Sequence, residues 1–442
     1  MNLDEFYARY NNRGVGRKAY DPGVMLCLLL YAHSYGIRSS RKIEKLCRRD
    51  VSFRVITGNK MPDHATICRL RRENADLMES IFMDTLSICL EAGMIDPCAI
   101  AIDGTKIEAN ASMDKNRDMD ERLRETVRGW MEEAERIDEE EDDLYGEDEN
   151  PMGRMPERLA DSKTREKIIE EYFERQREPA EAERKQQEVL ERRKAEEKRT
   201  GKKKDGPRSK SPKEVHDRVE DRKKKINTTD PQSRVMKGRK GHLQGYNAQI
   251  ATTIDQFIMA AHVCKESSDS QLLHLMINKA KDILEQLSRE KRIEEAVADT
   301  GYMSEDNVIR ENITDDARIR ENGGPRLYIN PKKDRKMAVE LKNTPVEKGV
   351  FHDEDELNGI EKMEMRYKSE RGRELFGIRG TTVEPVFGQI KENRECRRFM
   401  MRGIDLCRAE FLLVCTVHNL MKLRTKLRAK DMETMKMELA TA

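Results

Sequence analysis

AIAIDGTKIEAN, residues 99–110, decides how this chain is read. Four small or β-branched apolar residues, Ala99 to Ile102, run into Asp103 and Gly104. Such a run predicts a buried strand with a turn at its end, which leaves Asp103 at the strand's carboxyl edge. EEAVADTGY, residues 294–302, repeats the pattern with Asp299 ahead of Gly301. A third acid, Glu384, stands in TTVEPVFGQIKENR, residues 381–394, at the start of a helix whose apolar stripe is Val383, Phe387 and Ile390. An aspartate after a strand is more often a turn or cap residue, and an early-helix glutamate often only complements the helix dipole. Three together are another matter. Brought to one place, they form an oxygen cage for two divalent cations, able to activate water or a 3′-hydroxyl against a phosphodiester.

The chain has 442 residues, enough for two or three domains. Hydrophobic residues are 36% and charged residues 38%, so apolar material must be concentrated in part of the chain. With 85 Lys+Arg against 84 Asp+Glu, the net charge of +1 announces no nucleic-acid partner by itself. Nine cysteines scattered singly argue against a zinc site or a disulfide framework and suit a reducing cytoplasm. The apolar run Val24 to Ala32 is too short to span a bilayer, so a soluble intracellular protein is expected, with no membrane partner.

Residues 1–97 read as an all-α domain. Asp21-Pro22 and Pro62-Asp63 open helices, and Thr57-Gly58-Asn59 breaks the chain between them. HATICRLRREN turns Ile67 and Leu70 inward and Arg69, Arg71 and Arg72 elsewhere, which suits a helix-turn-helix on DNA or an ordinary solvated face. Residues 113–240 read as a charged insertion. It holds a heptad-like helix over Met119 to Leu144, a charged helix from about Glu157 to Arg199, and a basic Gly/Pro/Ser-rich stretch with Lys202, Lys203 and Lys204 expected to be disordered. YNAQIATTID and QFIMAAHVC predict two antiparallel strands turning at Asp255-Gln256. A helix capped by Ser267 and Ser268, the Asp299 strand, a short helix, the strand PRLYINPKK, a basic connector over Arg366 to Gly380 and two final helices complete the order. This alternation implies an α/β mixed sheet flanked by helices. It assigns residues 98–112 and 241–427 to the sheet domain and 428–442 to a tail.

Several blocks resemble bacterial insertion-sequence transposases of the DDE type. YDPGVML…RLRREN (residues 20–74), AIDGTKIEANAS (101–112), DPQSRVMKGRKGHLQGYNAQIATT (230–253), ADTGY (298–302), TTVEPVFGQIK and HNLMKL (418–423) occur in the order of the group numbered eleven eighty-two, with its InsH-like N-terminal domain. The resemblance implies a ribonuclease-H-like catalytic core and a metal-binding triad of Asp103, Asp299 and Glu384. It implies Mg²⁺ as cofactor, two per active site with Mn²⁺ able to substitute, and DNA as partner: terminal inverted repeats and target. Lys391 matches a lysine that contacts the element's end; Lys240, with Gly238, Gly245, Tyr246 and Asn247, falls in a block of structural and DNA-contacting character. Tyr302 sits in the D-x-G-Y block. Related elements carry an arginine four residues before the glutamate, where this chain has Gly380 beside Arg379, so no role is assigned there. Synapsis of two ends implies a homodimer or higher assembly. Two alternatives stay open: a metal-dependent nuclease of the same core that never joins strands, and an inactive DNA-binding relic.

Overall fold

The apolar run at residues 99–102 becomes the middle strand of a mixed sheet. The computed structural model describes residues 3–10, 19–118, 157–200, 210–222, 225–227, 229–238, 241–288, 291–304, 307–308, 325–331 and 359–441. The heptad-like stretch at 119–144, Lys202 to Lys204, and Lys240 lie outside the described residues. The chain forms two compact units, residues 1–107 with 246–442, and residues 108–245.

In the first unit, β1 (Ala99–Glu108) pairs in parallel with β7 (Glu295–Ala298), which pairs in parallel with β8 (Arg326–Ile329). On its other side lies β5 (Gly241–Thr253), antiparallel to β6 (Ile258–Cys264) across the turn at Asp255 and Gln256. The order β6-β5-β1-β7-β8 is an open mixed sheet. Its strands are buried on both faces, with Ile100, Ile102, Ile250, Met259 and Val297 all at or below 3% exposure, because helices cover both sides. α9 (Leu273–Leu287) packs on β6, α10 (Gly359–Lys368) and α11 (Glu370–Gly388) pack on β8, and α12 (Ile404–Thr441) packs on β6.

Among the described N-terminal residues of this unit the regular elements are helices: α1 (Asp4–Ala8), α2 (Pro22–Ser34), α3 (Ser40–Arg49), α4 (Val51–Ile56), α5 (His64–Glu73) and α6 (Met78–Glu91). The start signals work as their chemistry dictates. Asp21 caps α2 by accepting from Val24 N at 3.0 Å, with Pro22 in the first turn, and Asp63 caps α5 by accepting from Thr66 N at 2.6 Å. Their core gathers Leu28, Leu29, Ile43, Ile67 and Ile81 with Ala409 and Leu413 of α12, so the last helix stitches the N-terminal helices to the sheet. Each such side chain contributes about 1.5–3 kcal/mol on burial. No helix among the described residues is long and apolar enough to cross a membrane.

Five expectations need correction. β1 does not turn at Gly104 but runs on to Glu108. The glycine is there for room: a Cβ on it would meet Gln249 Nε2 at 2.0 Å. Arg366 to Gly380 is no connector but the end of α10 and most of α11. Ser369 caps α11 by accepting from Gly372 N, and Arg366 is buried, donating to Leu327 O at 2.6 Å. α9 starts at Leu273 with no side-chain cap, not at Ser267–Ser268, because residues 269–272 form a turn closed by Leu272 N on Asp269 O. α12 continues through residues 428–441, where no Gly or Pro stops it. Finally, Arg71 points inward: residues 67, 70, 71 and 74 form one buried stripe at helical spacing, and the stripe includes the arginine.

In the second unit, β2 (Asn116–Asp118) pairs antiparallel with β3 (Lys225–Asn227), tied by Asn227 Nδ2 donating to Asn116 Oδ1 at 2.9 Å. The long charged helix α7 (Glu157–Thr200) packs along α8 (Pro212–Arg222). β4 (Arg234–Gly238) forms a hairpin with the first residues of β5, and Arg234 reaches Glu178 of α7 at 2.8 Å.

Candidate active site

Strand register decides where the first two acids meet. Ile102 of β1 lies opposite Ala298 of β7 in a parallel pair, so Asp103, midway along β1, comes beside Asp299, which leaves β7 at its carboxyl end. Adjacent strands run about 4.8 Å apart, which is the distance scale for the two residues. Asp299 then turns the chain: it caps the short 3₁₀ turn Thr300–Tyr302, its Oδ1 accepting from Gly301 N at 3.1 Å. Asp103 Oδ1 accepts from Gly104 N at 2.7 Å.

Glu384 comes to this edge late in α11 rather than at its start. Pro385 inside the helix cannot donate to the carbonyl of Thr381, and Gln256 at the β5–β6 turn fills the gap, its Nε2 donating to Thr381 O at 2.8 Å. Val383, Val386 and Ile390 are fully buried and dock the helix, while the Glu384 side chain stays 60% exposed. α11 loosens into one π-helical turn, Gln389–Asn393, which carries Lys391. Lys391 Nζ donates to Thr105 Oγ1, two residues beyond Asp103 and on the same face of β1.

Arg379, assigned no role from its spacing, joins the acids. Its Nη1 lies 3.5 Å from Asp103 Oδ2 and its Nη2 3.6 Å from Glu384 Oε1. One guanidinium thus stands between two of the three acids. Burial pushes the Asp103 carboxyl up to about 6, with the Asp299 and Asp269 charges adding to the rise while Arg379 and the Gly104 N–H oppose it. Asp269 is the other residue the sequence reading missed. Its Oδ1 accepts from Lys106 Nζ at 3.0 Å, Asn247 Nδ2 at 2.8 Å and Gln249 Nε2 at 2.8 Å. It stands in a Ser-rich loop that reads as a helix cap, and its partners lie 20 or more residues away, so no local pattern pointed to it.

Asp103 and Asp299 offer hard oxygen donors and an excess of negative charge that one guanidinium does not cancel, and this fits a divalent cation. Among the described residues, no three His, Cys, Asp or Glu side chains stand at metal-holding spacing, and Glu384 is linked to Asp103 through Arg379.

The arginines expected on DNA divide. Arg69 and Arg72 are exposed on α5, and Arg48 and Arg49 are exposed on α3, which packs against α5. Arg71 is 7% exposed, its Nη2 3.3 Å from Glu410 Oε1 and its Nη1 donating to Arg38 O at 3.2 Å. It is an internal strut and presents nothing to DNA.

Comparison with known families gives two matches. Residues 1–73 match the model described as Transposase domain (DUF772), and residues 351–424 match the model described as Transposase DDE domain. Both ends carry a transposase signature. Together they are consistent with an insertion-sequence DDE transposase. The C-terminal match takes in Glu384 and Lys391 and the N-terminal one takes in Arg69 to Arg72, whereas Asp103 and Asp299 lie outside both. Neither the curated proteins nor the solved structures give a match.

Proposed function

We propose that the chain is a DNA transposase that cuts the ends of its element and joins the freed 3′-hydroxyl to target DNA, with Asp103, Asp299 and Glu384 as catalytic acids. The observation that carries this reading is the β1–β7 register, which sets Asp103 beside Asp299, with Arg379 reaching from Asp103 to Glu384. The strand order β6-β5-β1-β7-β8, three parallel strands followed on the far side by an antiparallel pair, supports a ribonuclease-H-like core.

Asp103, Asp299 and Glu384 would hold two Mg²⁺ ions, with Mn²⁺ as substitute. Such ions supply a nucleophile at neutral pH and neutralise charge on the in-line phosphoryl transition state. The protein's own part is positioning. β1 and β7 fix the two aspartates on rigid strands, and docked α11 brings Glu384. Arg379 and Lys391 bring positive charge to the same edge, where the phosphodiester backbone would lie. The exposed Arg69 and Arg72 with α3 supply a basic surface for the terminal repeats, and two ends held at once imply a dimer or higher assembly.

The test uses a labelled duplex carrying the inverted repeats that flank the coding region. Wild type with Mg²⁺ cuts the end and transfers it to a second duplex, and Asp103→Asn, Asp299→Asn and Glu384→Gln each abolish both products. Equal activity in all four proteins would end the assignment. Cutting without transfer would instead identify a nuclease of the same core.

A further inference from the structure

We propose that Gln249, held between Asp269 and Tyr302, is a positioning residue that fixes Asp299 beside Asp103; the inference rests on the transposase reading above. Gln249 and Asn247 on β5 are fully buried, and Tyr302 is 1% exposed. Buried amides are costly unless satisfied, and satisfied ones hold a single geometry.

The hydrogen bonds dictate which way the Gln249 amide points. Asp269 is an acceptor, so the Gln249 Nε2 must face it, and it donates to Asp269 Oδ1 at 2.8 Å and to Asn247 Oδ1 at 2.9 Å. That leaves Gln249 Oε1 toward Tyr302, whose hydroxyl donates to it. Tyr302 closes the 3₁₀ turn that Asp299 opens: Tyr302 N donates to Asp299 O at 3.1 Å, and Asn307 Nδ2 holds Tyr302 O at 2.7 Å. Through one phenol, the turn bearing a catalytic acid is tied to the strand next to the one bearing the other. Lys106 and Asn247 keep Asp269 in place at the far end. Gly104 leaves the space that the Gln249 amide occupies, immediately after Asp103. The network therefore reaches the backbone of Asp299 and the glycine that follows Asp103 without supplying a donor to the reaction.

Partners behind metal-binding side chains typically change metal affinity or rate by about 10–100-fold when removed. Tyr302→Phe deletes one oxygen and keeps the packing. In the full-length protein, Tyr302→Phe is expected to weaken Mn²⁺ binding, followed by titration in the absence of DNA, by about tenfold. Single-turnover cleavage should fall by about 10–100-fold with affinity for the DNA end unchanged. Gln249→Met should give the same loss, and the double variant no further loss, since either change breaks the same link. A lowered melting temperature with wild-type Mn²⁺ affinity and rate would overturn the proposal, because that is what a packing role alone predicts. Asp103→Asn in the same assays separates the two levels. If it loses Mn²⁺ binding and cleavage while Tyr302→Phe loses neither, only the positioning role fails; if it loses neither, the catalytic reading fails and takes this one with it.

Discussion

Asp103, half-buried, and Glu410, buried, are two carboxylates in one compact unit, and their surroundings push them in opposite directions. Glu410 is 3% exposed and receives more than a carboxylate needs. It pairs with the guanidinia of Arg38 and Arg71, and it accepts from Met400 N and Met401 N at 3.0 Å. Although burial alone would raise it, Arg38 and Arg71 with the Met401 N–H leave its carboxyl below the usual range. Asp103 has one guanidinium at 3.5 Å and another acid beside it, and its carboxyl sits at about 6. Glu410 ties α12 to the N-terminal helices and is satisfied by the fold. Asp103 is left with charge that the fold does not satisfy, the condition expected of a side chain waiting for a ligand or a reaction.

Substitution should separate the two carboxylates most widely. Asp103→Asn should lower strand cleavage by about 10³-fold or more, the scale of losing a group that acts on the transition state. The same change should leave the protein as stable as wild type or more so at pH 8, by about 2 kcal/mol, since it removes a carboxylate that folding disfavours. Glu410→Gln should do the reverse. Breaking a buried pair by removing one partner costs about 3–5 kcal/mol, and here two arginines lose theirs. Urea denaturation reads that loss, and cleavage per folded molecule should hold. If Glu410→Gln proved neutral in stability, the contrast between strut and site would collapse.

Much of this was legible in the sequence, and the failures have separate physical causes. Caps at Asp21 and Asp63, the β5–β6 hairpin at Asp255-Gln256 and the strand ahead of Asp299 all rest on contacts within a few residues, which spacing can report. Arg71 was misread because charge outweighed periodicity, although its position four after Ile67 placed it on the buried face. Residues 366–380 look like a connector because Gly372, Gly377, Gly380 and the charges hide a helix. Gly372 is required by its neighbour: a Cβ there would lie 1.9 Å from Arg366 O. Arg379 and Asp269 could not be found at all, since the first meets Asp103 across 276 residues and the second meets Lys106 across 163.

Gly104 tests how tightly the site is packed behind Asp103. Gly104→Ala puts a methyl 2.0 Å from a buried amide that is itself held by other hydrogen bonds. Overpacking of this kind costs about 1–3 kcal/mol. Since the displaced group belongs to the network holding the aspartates, cleavage should fall beyond what the lost stability explains. A variant with wild-type stability and rate would mean that the two faces of β1 are uncoupled. On the basic surface the effects are smaller. Arg69→Ala and Arg72→Ala should each weaken binding to the terminal repeat by roughly 1 kcal/mol and reduce its salt slope by about one. Arg71→Ala should lower stability instead, as the Glu410 half of the comparison requires.

Acid pH sets the two regions against each other. His33, buried on α2 and held down to about 3 by burial and by Arg71 and Arg38, stays neutral in the folded protein where the unfolded chain takes a proton. Its contribution is complete above about pH 6.5 and is lost progressively as pH falls below that. Asp103 has the opposite sign. Its folded carboxyl holds a proton up to about pH 6, whereas the unfolded one gives it up near 4, so the penalty for its charge fades as pH falls through 6. Between pH 7 and pH 5 the histidine should therefore destabilise by about 2 kcal/mol while Asp103 returns about 1 kcal/mol. Asp103→Asn removes only the second effect. Its stability advantage over wild type, measured by denaturant unfolding, should shrink by about 1 kcal/mol over that interval. An advantage that stayed constant from pH 8 to pH 5 would mean that the Asp103 carboxyl is not strained in the folded state, and the asymmetry with Glu410 would lose its physical basis.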